Sequence, residues 1–166
     1  MKIKGLKVDY YSGYEGEPEI RFYIKPKGVD FHLDRQQNGL GGYNHRQIGQ
    51  GEYGIYFFSL WDGYFHRIAH ALRERAYRTS VYFKAPKFLK DWNQAIGWCW
   101  GSLMPELIPP AEITWLLNEL SIMHNEKEGY SKELESEVTN YNCIRDLMLF
   151  LEFAERENME IRISLE

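Results

Sequence analysis

The last eight residues alternate strictly, with Met159, Ile161, Ile163 and Leu165 apolar and Glu160, Arg162, Ser164 and Glu166 polar. A period of two is the mark of a β-strand with one buried face. The segment just ahead steps by three and four instead, through Ile144, Leu147, Met148, Leu151 and Ala154, which is the stripe of an amphipathic helix. A terminal strand preceded by a helix must find its hydrogen-bonding partners far upstream. Ile20, Phe22 and Ile24 alternate with Arg21, Tyr23 and Lys25, and Val29, Phe31 and Leu33 repeat the pattern after the Pro26-Lys27-Gly28 connection. Those two runs predict a hairpin, and Leu6, Val8 and Tyr10 supply a strand ahead of it. The economical arrangement is α+β: an antiparallel sheet of about four strands, three amino-terminal and one carboxyl-terminal, with about four helices packed on one face. The other face would carry Arg21, Lys25, Asp30, His32 and Asp34, a composition suited to water.

Helical period returns in the middle of the chain. Trp61, Phe65, Ile68, Ala69, Leu72 and Ala76 share one stripe; a short extended stretch at Ser80 to Lys84 follows; Pro86 opens a second helix carrying Phe88, Leu89, Trp92, Ala95, Ile96 and Cys99 inward. Pro109 and Pro110 start a third helix through Ile113, Leu116, Leu117, Leu120 and Met123, which should break near Asn125. The Gly-rich stretch from Arg35 to Gly51 reads as a loop without the features of a phosphate-cradling fingerprint.

A chain of 166 residues fits one domain, 1–166, and can bury roughly 70% of its unfolded surface without a staple. Cys99 and Cys143 are too few for a disulfide framework and read as buried thiols in a reducing compartment. The amino terminus breaks its apolar residues with Lys2, Lys4 and Lys7, unlike a signal peptide, and the densest apolar run, Ile55 to Trp61, is far short of a membrane span. A cytoplasmic protein is expected. Residues 1–118 hold 15 Lys+Arg against 12 Asp+Glu, a charge of +3, whereas residues 119–166 hold 5 against 12, a charge of −7. Such a field favours basic partners over nucleic acid.

Three constellations bear on chemistry. Asp62, His66 and His70 stand four residues apart, a column that metal-binding helices use, but Arg67 occupies the place where a zinc-protease helix needs Glu. No metal or other cofactor is expected. Asp30, His32 and Asp34 would share a strand face, where carboxylates could orient an imidazole as a base, beside Tyr43, Asn44, His45 and Arg46; a small enzyme built there is one alternative. A single-stranded nucleic-acid binder is another, built on Arg67, Arg73, Arg75, Arg78, Lys84, Lys87 and Lys90 with Tyr77, Tyr82, Phe83 and Phe88 among them. The isoelectric point of 5.8 opposes that reading.

Aromatic residues make up 16% of the chain and recur at roughly every third or fourth position from Tyr53 to Trp100. Large rings anchor protein interfaces. Trp98 and Trp100 flank Cys99, so a helix cannot turn both into one core, and Glu126, Glu128, Glu133, Glu135 and Glu137 surround Tyr130. In this small, acidic, aromatic-rich character with uneven charge, the chain resembles the immunity proteins that neutralise bacterial polymorphic or contact-dependent toxins. The resemblance implies a protein that performs no reaction and occludes the surface of a basic toxin domain. Tyr130, Glu133, Glu135 and Glu137, with Trp98 and Trp100, are then the expected contact residues.

Overall fold

The computed structural model describes residues 6–29, 35–37, 43–45, 50–93, 106–125 and 141–165. The protein is α+β. Its strands are β1 (Asp9–Tyr10), β2 (Glu19–Lys25), β3 (Arg35–Gln37), β4 (Tyr43–His45), β5 (Tyr56–Trp61), β6 (Glu106–Leu107) and β7 (Glu160–Leu165). Its helices are α1 (Asp62–Arg78), α2 (Lys87–Asn93), α3 (Pro110–Asn125) and α4 (Tyr141–Arg156). Five strands form a mixed sheet in the order β1-β5-β2-β7-β6, with β1 parallel to β5 and the other pairs antiparallel. A separate two-stranded ladder joins β3 to β4.

As the terminal alternation requires, β7 finds its partner far upstream: Phe22 lies opposite Ile163 and Ile24 opposite Ile161. On the other edge of β2, Ile20 faces Leu60 and Phe22 faces Phe58. These side chains form one apolar face, and residues from all four helices join its cluster, among them Phe65, Leu72, Leu89, Leu120, Leu147 and Phe150. Phe22, Phe65 and Phe88 meet with centroids 6.1–6.2 Å apart, so two helices are locked to the central strand by edge-on and tilted rings.

The sheet departs from the expected one in three ways. First, β5 lies beside β2. Its sequence YFFSLW is apolar apart from Ser59, with aromatic side chains on both faces of the sheet, and so shows neither period. Second, β2 has β5 on one edge and β7 on the other, so no edge remains for a hairpin partner; of the expected Val29–Leu33 strand, residues 30–33 lie outside the described ones. The Pro26–Val29 turn does form, with Val29 N–H donating to Pro26 O at 3.3 Å and Gly28 at φ +84°. Third, β1 is reduced to two residues and runs parallel to β5. The stretch expected to be extended near Ser80 instead closes α1: Ser80 takes φ +56°, Val81 N–H returns to Ala76 O, and a 3-10 turn follows at Tyr82–Lys84.

The second sheet face is not a solvated surface. Lys25 is 5% exposed, Glu19 7% and Ser59 7%. Burial of charge requires partners: Arg21 donates to both oxygens of Glu19 (2.9 and 2.7 Å), and Glu160 accepts from Lys25 (3.1 Å) and Arg162 (2.5 Å). Tyr23, Ile55 and Phe57 add a small apolar cluster between these pairs. Among the described residues no helix is long and apolar enough to cross a membrane.

Candidate partner-binding face

Alternation along β5 sends Phe58 and Leu60 into the core and leaves Phe57, Ser59 and Trp61 on the paired-charge face, opposite Tyr23, Arg21 and Glu19 of β2. Just before β2 the chain makes a tight excursion. Asp9 Oδ1 accepts the backbone N–H groups of Tyr11 (3.0 Å) and Ser12 (2.9 Å), Gly13 and Gly16 both take φ +98°, and the Tyr11 hydroxyl donates to Glu17 O at 2.7 Å. This turn lays Tyr14 on Trp61, with centroids 4.1 Å apart and the planes 5° from parallel. Tyr64, in the first turn of α1, stands edge-on to both rings at 5.7 and 5.4 Å, and its hydroxyl meets that of Tyr14 at 3.1 Å. That hydrogen bond, with burial, pushes the Tyr64 phenol up to about 12. Gly63 makes room for the stack: a Cβ there would sit 2.5 Å from the Trp61 indole. All three rings are half-buried, so they present an ordered aromatic platform at the surface.

Beside the platform the same turn and strands enclose a cleft of about 530 Å³. Asp9, Glu15, Glu19, Arg21, Phe57 and Ser59 line it. The Gly13 N–H, donating to Glu15 at 3.0 Å, holds that carboxyl below its usual range, so it is ionised. The Arg21 guanidinium is committed to Glu19 and lies over the Phe57 ring at 5.0 Å.

A second exposed cluster lies at the far end of α1. Tyr77 and Tyr82 stack at 4.1 Å, Phe83 is 72% exposed, Lys84 stands over its ring at 5.6 Å, and Lys90 donates to its carbonyl at 3.1 Å. This corner contains part of the basic run picked out in the sequence, though Phe88 is core. Carboxylates also meet several of its cations: Arg75 with Glu119 at 2.6 Å, Arg78 with Glu74 at 2.7 Å, and Lys87 with Asp91 and Glu106.

The Asp62, His66 and His70 column does lie on α1. His66 is exposed, whereas Asp62 and His70 are half-buried. Burial raises the Asp62 carboxyl, opposed by His66, and His70 faces Glu74 at 3.9 Å. Among the described residues no three His, Cys, Asp or Glu side chains converge as a metal site. Tyr130, Glu133, Glu135, Glu137, Trp98 and Trp100 all lie outside the described residues, as do Asp30, His32, Asp34 and Cys99.

No protein-family model matches this chain, and no curated protein or solved structure shows significant similarity to it. The platform and the cleft were absent from the sequence reading, although two signals mark them. Ser59 interrupts the otherwise apolar YFFSLW run, and the Ser12–Gly16 stretch SGYEG places Tyr14 and Glu15 between two glycines. Ring stacking between Tyr14 and Trp61 joins residues 47 positions apart, which no local pattern encodes.

Proposed function

We propose that this chain is a binding protein that neutralises a bacterial toxin by covering the toxin's active or substrate-binding surface. The observation that supports this reading is the Tyr14, Trp61 and Tyr64 platform set against a cleft lined by Asp9, Glu15 and Glu19. Ordered aromatic side chains bury area at low entropic cost and are the residue types that dominate interface energy. Carboxylates beside them steer a basic partner, and enzymes that act on phosphate-bearing substrates present basic surfaces. The acidic residues around Tyr130 extend this reading to the carboxyl-terminal third of the chain.

Co-expression with the product of the adjoining reading frame tests the proposal. The expected result is that the neighbour is lethal alone, harmless with this chain, and copurifies with it. A neighbour that is harmless alone, or that kills equally in the presence of this chain, overturns the reading.

The exposed Phe83 and the Tyr77–Tyr82 stack favour one second reading, a single-stranded nucleic-acid site at the end of α1. It predicts retention on an oligonucleotide that weakens steeply with salt and is lost in Phe83→Ala.

A further inference from the structure

The corner at the end of α1 has an apolar tip, with Phe83 72% and Tyr77 52% exposed. The backbone fixes that exposure. Val81 N–H returns to Ala76 O at 3.0 Å, Lys84 N–H to Val81 O at 2.9 Å and Ala85 N–H to Tyr82 O at 3.0 Å, while Ala85 is buried at the foot of the turn. Lys90, on α2, donates to Phe83 O at 3.1 Å and ties the tip to the next helix. A built turn thus holds a large ring out in water, against the hydrophobic effect. The charges around it divide into two groups. Arg75 is met by Glu119, Arg78 by Glu74, and Lys87 by Asp91 and Glu106. Lys84 stands over the Phe83 ring and Lys90 holds its carbonyl, and neither has a carboxylate partner among the described residues. Two uncompensated cations therefore flank the projecting ring.

We infer that this tip docks on an anionic lipid surface. Phe83 enters between the headgroups, Lys84 and Lys90 meet their negative charge, and the Tyr77 ring rests at headgroup level. The charge complementarity is specific to the tip, because the cations farther from Phe83 are already neutralised. A ring with so much of its surface in water lines no groove of this chain, and a fluid interface can close around it. Single-stranded nucleic acid would instead stack bases on open ring faces and run its phosphates along a continuous basic track. Here Tyr77 and Tyr82 cover each other's inner faces, Lys84 covers one face of Phe83, and carboxylates interrupt the track. The contact is independent of toxin neutralisation. From Tyr64 to Tyr77 α1 rises roughly 20 Å, so the aromatic platform stays open when the tip is docked.

The test is co-sedimentation of the full chain with vesicles of phosphatidylcholine alone and of an equal mixture of phosphatidylcholine and phosphatidylserine. Binding is expected on the mixed vesicles, weakening as salt is raised, and severalfold less on the neutral ones. Lys84→Gln should reduce the partition coefficient about fivefold and Phe83→Ala about tenfold. Both side chains are exposed, so the melting temperature should not change. Leu149→Ser removes an apolar side chain 40% exposed on α4, away from the tip, and should bind as the unaltered chain does. Equal binding to neutral and anionic vesicles, or sedimentation with neither, overturns the inference. An equal loss in Leu149→Ser overturns it as well, since adhesion would then be general. Retention on an immobilised oligonucleotide that Phe83→Ala abolishes, without vesicle binding, assigns the corner to nucleic acid instead.

Discussion

At Gly63 a single hydrogen atom decides the shape of the surface. Alanine is the better helix former by about 1 kcal/mol, so Gly63→Ala should leave α1 as stable or more so. Its methyl group would nonetheless occupy the place of Trp61 Cη2, Cζ2 and Cζ3, which lie 2.5–2.6 Å from that position. The indole must swing away and surrender its stack with Tyr14. Gly63→Ala is therefore expected to keep or raise the melting temperature, alter Trp fluorescence, and weaken partner binding about tenfold or more. Unchanged binding would exclude the platform from the interface. Tyr10 makes a different kind of prediction. Burial, then its 2.7 Å hydrogen bond to the buried Asp146, raises the phenol above its ordinary value of 10.0. The folded state keeps this proton at pH values where the unfolded chain has released it. Stability is thus complete below pH ~10 and declines as pH rises beyond it. Tyr64, held at about 12, adds to the same decline. Tyr10→Phe should flatten this alkaline slope in denaturant titrations, while lowering stability at neutral pH by about 1–2 kcal/mol through loss of the donor to Asp146.

Among the elements, the strands that alternate were legible and the strand that does not was missed. β2 and β7 each show a period of two, and both formed. α3 and α4 were equally plain, down to the Pro110 start and the Asn125 end. β5 escaped because aromatic residues stand on both of its faces, leaving Ser59 as its one polar position, and so its neighbours were also misassigned. Arg21 and Lys25 read as solvent-facing from alternation alone, and only the register with β7 places Glu160 opposite Lys25. That pairing carries a stability prediction. Burial alone would raise the Glu160 carboxyl, but hydrogen bonds from Arg162 and Lys25 hold it below its ordinary 4.5. This stabilisation is present above pH ~4.5 and is lost as pH falls through the folded-state value. Glu160→Ala, which leaves Lys25 only 5% exposed without its carboxylate, should cost ~3 kcal/mol in urea unfolding at pH 7 and should reduce the acid dependence.

For the whole molecule, the question is which negative surface draws a partner in. The cleft lies in the part of the sequence whose net charge is +3, so Asp9 and Glu15, which have no cationic partner among the described residues, are a local feature against a weakly basic background. The carboxyl-terminal third, at −7, acts over a longer range. Long-range fields set the association rate and are screened within about 8 Å at physiological salt, whereas a desolvated contact mainly sets the dissociation rate. The two sets of acids should therefore separate kinetically. Reversing Glu133, Glu135 and Glu137 to Lys is expected to slow association about tenfold at low salt, with the difference shrinking as salt is raised. Asp9→Asn with Glu15→Gln should instead accelerate dissociation at every salt concentration. Surface plasmon resonance against the immobilised partner resolves both rates. If the triple reversal left association unchanged, the carboxyl-terminal acids would have no part in drawing the partner in. If the double variant changed association alone, its carboxylates would act only as a distant field and would not be part of the contact.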